Sequence, residues 1–442
     1  MNLTIEPGHP LNGEAAMPGD KSLSHRAALF AALADGESRV ENFLVSGVTA
    51  AMLRALTGLG VSWQLDGTTL TVQGRGLAGW QPPAAALDCG NSATTLRLLA
   101  GALAAAGIPA VLDGSPGLRR RPMDRIVEPL RQMGAAIETD SGGGAPLVLA
   151  GRPAGQLLRA IDYRLPVASA QVKTCLLLAA LAADGPTRLV EPALSRDHSE
   201  RMLSSQGVAI TCEPTPHGPR VVLTPPGRPL TPLRATIPGD FSAAAFLIVA
   251  ALVTPGSKVI LRGVGLNPTR TGLLSVLREM GGRIDILDPR QASGEPVGDL
   301  QVQSSHLNGG TVSEARVVEM IDEFPIFGVA AAYAHGQTVV CDATELRYKE
   351  SDRIGALARE LQNQGIPVEE RPDGFIIAGT GRAPGGAAVD PHGDHRLAMA
   401  LAVLGLGAAR PVEVRGAEIM RESFPEFCQI LSSLGAAIAP AD

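Results

Sequence analysis

LREMGGRI at 277–284 ends an amphipathic helix, stops it with glycine and begins a strand. The same arrangement recurs as LTGLGVSW (56–63), LRQMGAAI (130–137), LSSQGVAI (203–210), LQNQGIPV (361–368) and LSSLGAAI (431–438). The marker glycines are Gly60, Gly134, Gly207, Gly281, Gly365 and Gly435, at successive gaps of 74, 73, 74, 84 and 70 residues. Self-similarity at a nearly fixed period indicates one supersecondary unit copied along the chain. Six copies account for all 442 residues.

Within a copy, a small-residue helix such as 93–107 or 242–256 closes on glycine, an ordinary helix stop. Short strands follow (AVLDG, KVILRG), then an amphipathic helix such as 125–134 with apolar residues three and four apart. A strand after the marker glycine (AAIET, GRIDIL, IPVEE) completes a mixed βα order with strand pairs. A second signature divides the six copies into two threes. MPGDKS begins at Met17 and IPGDFS at Ile237, 220 residues apart. Pro-Gly breaks regular structure, so the two stretches read as paired crossover strands between lobes. The expected lobes are 20–238, and 1–19 together with 239–442. Hinge strands near 17–20 and 237–240 suggest a cleft between them.

Composition narrows the function classes. With 45% hydrophobic and 19% charged residues, two cores can be built. The longest apolar runs, near 96–112 and 243–253, are too short or interrupted to span a bilayer. No apolar leader precedes Pro18, so a cytoplasmic protein is expected. Five scattered cysteines without CxxC spacing argue against zinc or a disulfide framework, and most read as core residues. Net charge −6 and 3% aromatic residues give no nucleic-acid footprint.

Of 38 basic residues only four are lysine, namely Lys21, Lys173, Lys258 and Lys349. Three lie in motif-like stretches (PGDKSLSHR, SAQVKTC, RYKESDR), where a compact titratable ammonium reads as wanted. Basic and polar residues also cluster: Lys21 and Arg26 around Ser22, Ser24 and His25; Arg97 after GNSATT; Arg119 to Arg121; Ser169, Gln171 and Lys173; Arg196 and His198; Lys349 and Arg353; His395 and Arg396. Helix starts rich in Ser, Thr, Asn and Gly are natural anion cradles, and arginine forks fit phosphate and carboxylate oxygens. A capping motif is the bland reading of each start alone. Six varied starts on one scaffold point to a small, multiply anionic substrate pair.

In order along the chain, GDKSLSHR, GNSATTLR, RRRPMD, SAQVK, SRDHSER, IDEFPIF, KESDRI, GDHRLAMA and SFPEF resemble the 5-enolpyruvylshikimate-3-phosphate synthase family over residues 5–438. SAQVK and IDEFP are similar to the second of that family's two main sequence groups. The resemblance implies an α/β fold, a two-lobed inside-out α/β barrel of six βαβαββ-type repeats, three per lobe. It implies transfer of the enolpyruvyl group of phosphoenolpyruvate to the 5-hydroxyl of shikimate 3-phosphate, on the route to chorismate and the aromatic amino acids. No metal or cofactor is implied, nor a nucleic-acid or membrane partner, and the enzyme would be a monomer.

Carried over by motif, Lys21, Ser22 and Arg26 would contact substrate from the first helix start. Ser169, Ala170, Gln171 and Arg196, with Asp322 and Lys349, would hold shikimate 3-phosphate. Asn91, Ala93, Thr94, Arg97 and Arg121, with Lys21 and Gln171, would surround phosphoenolpyruvate, while Lys349, Arg353 and Arg396 would close over its phosphate and carboxylate. The chemistry adds an alcohol across the enol ether, protonates the methylene to give a tetrahedral ketal, then eliminates phosphate. One group must accept the 5-hydroxyl proton and another must give and retrieve the methyl proton. Asp322 with Lys21 is the candidate for the first task and Glu350 for the second.

Three positions depart from the family pattern. SGVTAAML carries Gly47 and Val48 where an acidic residue is usual, leaving Thr49 or water to compensate. Arg421 and Glu422 precede SFP where some members have lysine. Ala93 replaces the glycine of glyphosate-sensitive members, and its extra methyl implies tolerance by steric overlap. The nearest rival is the UDP-N-acetylglucosamine enolpyruvyl transferase. That family carries a reactive cysteine shortly before its Arg-Pro pair, whereas this chain has no cysteine between Cys89 and Cys175. A six-repeat anion-binding scaffold without turnover would leave the carboxylates unexplained.

Overall fold

The computed structural model describes residues 1–441. The chain divides into two compact units. One comprises Gly19–Ile237 with Ala292–Glu295; the other comprises Met1–Pro18, Pro238–Gln291 and Pro296–Asp442. Placing 239–442 wholly in one lobe therefore needs correction at 292–295, the turn joining strands Arg283–Ala292 and Glu295–Gln303.

Among the described residues six four-stranded sheets form, three in each unit. In every sheet the first pair of strands is parallel and the next pairing antiparallel. A parallel pair needs a crossover connection. In four of the sheets among the described residues a buried helix between the paired strands supplies it. In the other two a buried helix leads directly into Asp35–Glu41 or Lys258–Gly265, and the connection spans a much longer stretch of chain. These helices are Lys21–Leu33, Ala93–Ala106, Ala170–Ala180, Phe241–Val253, Phe324–Ala332 and His395–Leu406. Beyond their first two turns they are apolar or small-sided all round, so they suit a core rather than a surface; every residue of Phe241–Val253 is buried. Small side chains also let them approach closely. A Cβ on Gly101 would lie 2.1 Å from the carbonyl oxygen of Cys175, so the helices 93–106 and 170–180 meet backbone to backbone there.

The second helix of each copy ends at a marker glycine, and all six glycines adopt positive φ, from 78° to 113°. The residue after each glycine donates its N–H to the carbonyl of the leucine five positions earlier: Val61 to Leu56, Ala135 to Leu130, Val208 to Leu203, Gly282 to Leu277, Ile366 to Leu361 and Ala436 to Leu431, at 2.8–3.0 Å. Such a closure satisfies an orphan helix carbonyl and needs a left-handed residue, which glycine adopts without a Cβ penalty. The repeated pentad of leucine, three intervening residues and glycine is thus the same helix stop made six times.

Two expectations change. The Pro-Gly stretches are not strands: strand Asn12–Ala16 ends before Met17 and strand Arg234–Thr236 before Ile237, leaving isolated bridges such as Gly239 with Val264. Proline removes a ladder donor, which ends pairing at each stretch. Of the cysteines only Cys89 and Cys175 are buried; Cys212 is exposed, on strand Ala209–Thr215 opposite Val221, and Cys341 and Cys428 are intermediate.

Candidate active-site residues in each unit

In the unit built on Gly19–Ile237, three buried helices present their first turns. The Asp20 carboxylate accepts from Leu23 N at 2.8 Å and fixes the start of Lys21–Leu33. Ser92 and Ser169 cap the helices beginning at Ala93 and Ala170. Arg26 is buried and donates to Ser199 Oγ (2.8 Å), the Ser22 carbonyl (3.0 Å), the Ala170 carbonyl (3.3 Å) and Thr174 Oγ1 (2.9 Å). Arg196 Nη1 donates to Ser22 Oγ at 3.3 Å. A second set joins Arg97 Nη1 to Gln171 Oε1 (2.6 Å) and Gln171 Nε2 to Thr94 Oγ1 (3.0 Å), while Arg97 Nη2 holds the Pro122 carbonyl beside Arg121 (2.9 Å). Asn91 Oδ1 accepts from Ser115 Oγ at 3.0 Å. Ala93, first residue of its helix, is buried.

His25 links the two sets, a role that its place beside Arg26 in the chain does not suggest. Its Nδ1 lies 2.8 Å from the Lys21 carbonyl and its Nε2 3.2 Å from Ser92 Oγ. Burial lowers its pKa to about 4, with the charges of Lys21 and Arg26 acting in the same direction. The ring is therefore neutral at pH 7. A carbonyl can only accept, so Nδ1 carries the hydrogen and Nε2 accepts from Ser92.

Lys173 does not join these groups. It is fully buried, with its ammonium 2.8 Å from Glu191 Oε2, 2.6 Å from Glu200 Oε1 and 3.2 Å from the Ser195 carbonyl. Burial alone would lower its pKa, but the charges of Glu200 and Glu191 outweigh that and hold it above the ordinary lysine value. Nor does Thr49 replace the missing acid. Its hydroxyl is buried, donates to the Leu44 carbonyl at 2.7 Å and accepts from Ser46 N at 3.0 Å. Asp197, His198 and Glu295 bring possible metal-ligand atoms within 4.8 Å of one another. However, Arg201 pairs with Asp197 at 2.9 Å and His198 Nδ1 lies 2.8 Å from Glu295 Oε1, so protein groups already take these ligand atoms.

The other unit gathers the remaining candidates. Asp322 precedes the helix Phe324–Ala332, and its carboxylate lies 3.8 Å from Lys349 Nζ, 3.7 Å from Arg353 Nη1 and 3.8 Å from Arg396 Nη2. Arg396 Nη1 also donates to the Asp322 carbonyl at 3.1 Å. Glu350 Oε2 accepts from Arg353 Nη2 at 2.8 Å. Beneath them Asp394, completely buried, accepts from Arg353 Nε at 2.8 Å and from Arg396 N at 2.9 Å, capping the helix His395–Leu406. Glu323, equally hidden, accepts from Ser242 Oγ and lies 3.9 Å from Arg396 Nη1. Glu422 Oε2 lies 3.9 Å from His395 Nδ1.

Helix starts as free anion cradles also need correction. Asp20, Asp240, Asp352 and Asp394 each accept from their own helix's first N–H groups. A carboxylate cap spends the donors an anionic ligand would use, so side-chain cations must supply the attraction. Asp394 and Glu323 were missed as site groups, though an Asp before His-Arg at a helix start is a readable cap signal.

Among the described residues no helix is long and apolar enough to cross a membrane. The model of the EPSP synthase (3-phosphoshikimate 1-carboxyvinyltransferase) family matches residues 5–431. A 3-phosphoshikimate 1-carboxyvinyltransferase of Geobacter sulfurreducens is 47% identical, over 98% of this chain and 99% of the relative. One from Methylococcus capsulatus is 46% identical, over 98% and 97%. The solved EPSP synthase of Acinetobacter baumannii superposes with a TM-score of 0.87 at 40% identity, covering both chains completely. With nearly the whole length matched, and both clusters built from the motif residues, this chain belongs to the EPSP synthase family.

Proposed function

We propose that the two clusters divide the labour of the family's reaction between them. The chain is an enolpyruvyl transferase acting on phosphoenolpyruvate and shikimate 3-phosphate, and the nucleotide-sugar alternative is not favoured. The observation that carries the assignment of residues is the Asp322 carboxylate within 4 Å of Lys349, Arg353 and Arg396. Such a carboxylate is placed to take a proton from a substrate hydroxyl, and the cations around it match a phosphate and a carboxylate. In this reading Lys21, Ser22, Arg26, Ser169, Ala170, Gln171 and Arg196 hold shikimate 3-phosphate. Asn91, Ala93, Thr94, Arg97 and Arg121 hold phosphoenolpyruvate. Arg26 acts by fixing Ser22 and Ala170, which its bonds to both support.

Asp322, with Lys21, withdraws the 5-hydroxyl proton as oxygen attacks the enol ether carbon. Glu350 delivers a proton to the methylene and retrieves it as phosphate leaves. The cations stabilise charge developing on the phosphate. The finer architecture proposed is the inside-out barrel pair, with lobes 20–238 and 1–19 plus 239–442, corrected at 292–295 as above, hinged near 17–20 and 237–240, in a cytoplasmic monomer.

Phosphate release measured with phosphoenolpyruvate and either acceptor tests the reaction. Turnover is expected with shikimate 3-phosphate and none with UDP-N-acetylglucosamine; the reverse preference refutes the reading. A second measurement bears on Ala93. Ala93→Gly is expected to lower the glyphosate concentration giving half inhibition, because the methyl that crowds the longer inhibitor is gone. Equal inhibition of parent and variant would remove steric exclusion as the cause.

A further inference from the structure

Arg196 sits in a segment whose neighbours on both sides are tied to one buried ionic group. Before it, Ser195 offers its carbonyl to Lys173 Nζ at 3.2 Å, its N–H to Glu191 Oε2 at 3.4 Å and its hydroxyl to Glu191 Oε1. After it, Glu200 meets the same ammonium at 2.6 Å. Ser199, between them, is held by Arg26 at 2.8 Å. Lys173 and Glu191 are fully buried and Glu200 nearly so. The lysine stands on the helix Ala170–Ala180, whose first turn carries Ala170 and Gln171.

Stability does not explain such a cluster well. Taking two carboxylates and an ammonium from water is costly, and well-packed apolar residues of similar volume often serve a core equally or better. Directional bonds do something apolar packing cannot: they fix where a particular carbonyl, N–H and hydroxyl must lie. Here those groups belong to the residue preceding Arg196, whose Nη1 then reaches Ser22 Oγ at 3.3 Å.

We propose that Lys173, Glu191 and Glu200 form a buried ionic clamp that positions Arg196 for the phosphate of shikimate 3-phosphate. The inference rests on the assignment of Arg196 above. None of the three touches substrate; they are positioning residues, and they act through the backbone of 195–200. Lys173 stands in SAQVK, a stretch whose polar residues the reaction absorbs while leaving the lysine without a task.

The test is a double-mutant cycle between the apolar triple variant Lys173→Met/Glu191→Leu/Glu200→Leu and Arg196→Ala, read as KM for each substrate, kcat and thermal midpoint. The triple variant is expected to keep a midpoint near the parent's while KM for shikimate 3-phosphate rises about tenfold or more, the scale of one charge-assisted hydrogen bond. KM for phosphoenolpyruvate and kcat should stay within about threefold of the parent's on the same scale. Adding Arg196→Ala should then raise KM no further than Arg196→Ala does alone, since coupled sites are not additive. If Arg196→Ala alone leaves KM for shikimate 3-phosphate unchanged, the assignment of Arg196 falls, and the clamp with it. If Arg196→Ala raises KM but the triple variant does not, or the two effects multiply, the assignment stands and the clamp is refuted. Should the triple variant fail to fold, Glu200→Gln keeps the Lys173–Glu191 pair and takes its place. The same non-additivity with a smaller rise is then expected, and multiplying effects again refute the clamp.

Discussion

Glu350→Gln is expected to lower kcat by about 10²–10⁴-fold, the range of general acid–base catalysis, with KM for shikimate 3-phosphate little changed. The substitution is nearly isosteric and keeps an oxygen that can accept from Arg353, whose Nη2 lies 2.8 Å from the native carboxylate. It removes the capacity to give and take a proton, together with the charge that faces Arg353. Asp322→Asn in the same phosphate-release assay separates the two carboxylates. Retained shikimate 3-phosphate binding with lost turnover marks Asp322 as the hydroxyl's base, whereas lost binding reduces it to positioning. Near-normal turnover of Glu350→Gln would overturn the assignment of the methyl proton to Glu350 while leaving the reaction itself intact.

Arg353→Met should destabilise its unit by about 3–5 kcal/mol at neutral pH, the cost of stranding a buried partner charge. The stranded group is Asp394, fully enclosed and bonded to Arg353 at 2.8 Å and 3.3 Å. Burial by itself pushes this carboxyl up; the Arg353 charge outweighs that and holds it below the ordinary aspartate value. A carboxyl with a lowered folded pKa adds stability that is present above its unfolded pKa and lost as pH falls through the folded one. Without Arg353 the sign reverses: burial dominates, the folded pKa rises, and protonation relieves the strain. The gap between parent and variant should therefore narrow from pH 7.5 to pH 5 in urea unfolding. A loss under about 1 kcal/mol at pH 7.5 would mean that Asp394 is otherwise compensated, since a stranded buried charge costs several times more.

The repeat was legible because a helix stop is local chemistry. Gly60, Gly134, Gly207, Gly281, Gly365 and Gly435 had to be read only as glycines after leucine-bearing helix ends, and all six take the left-handed conformation. The motifs likewise named Asp322, Lys349, Arg353 and Arg396, which the fold brings within 4 Å of a common carboxylate. What composition and spacing could not give was direction. Gln171 and Lys173 are two positions apart on one helix, and residues at that spacing do not share a face. Gln171 meets Arg97 and Thr94, while Lys173 turns into the core toward Glu191 and Glu200. His25 stayed unread for a related reason: its partners, the Lys21 carbonyl and Ser92, are joined only by tertiary packing.

The strand sources carry a consequence for biosynthesis. Strands Leu3–Glu6 and Asn12–Ala16 leave the ribosome before every strand they pair with: Leu3–Glu6 pairs with Val412–Val414 and Ala437–Pro440, and Asn12–Ala16 with Lys258–Gly265. The intervening unit draws every strand of its three sheets from residues before 238. Nascent chains complete early segments before late ones. Residues 1–18 must therefore wait, unpaired, while the intervening unit is made, and a ribosome stalled before residue 412 leaves Leu3–Glu6 without either partner.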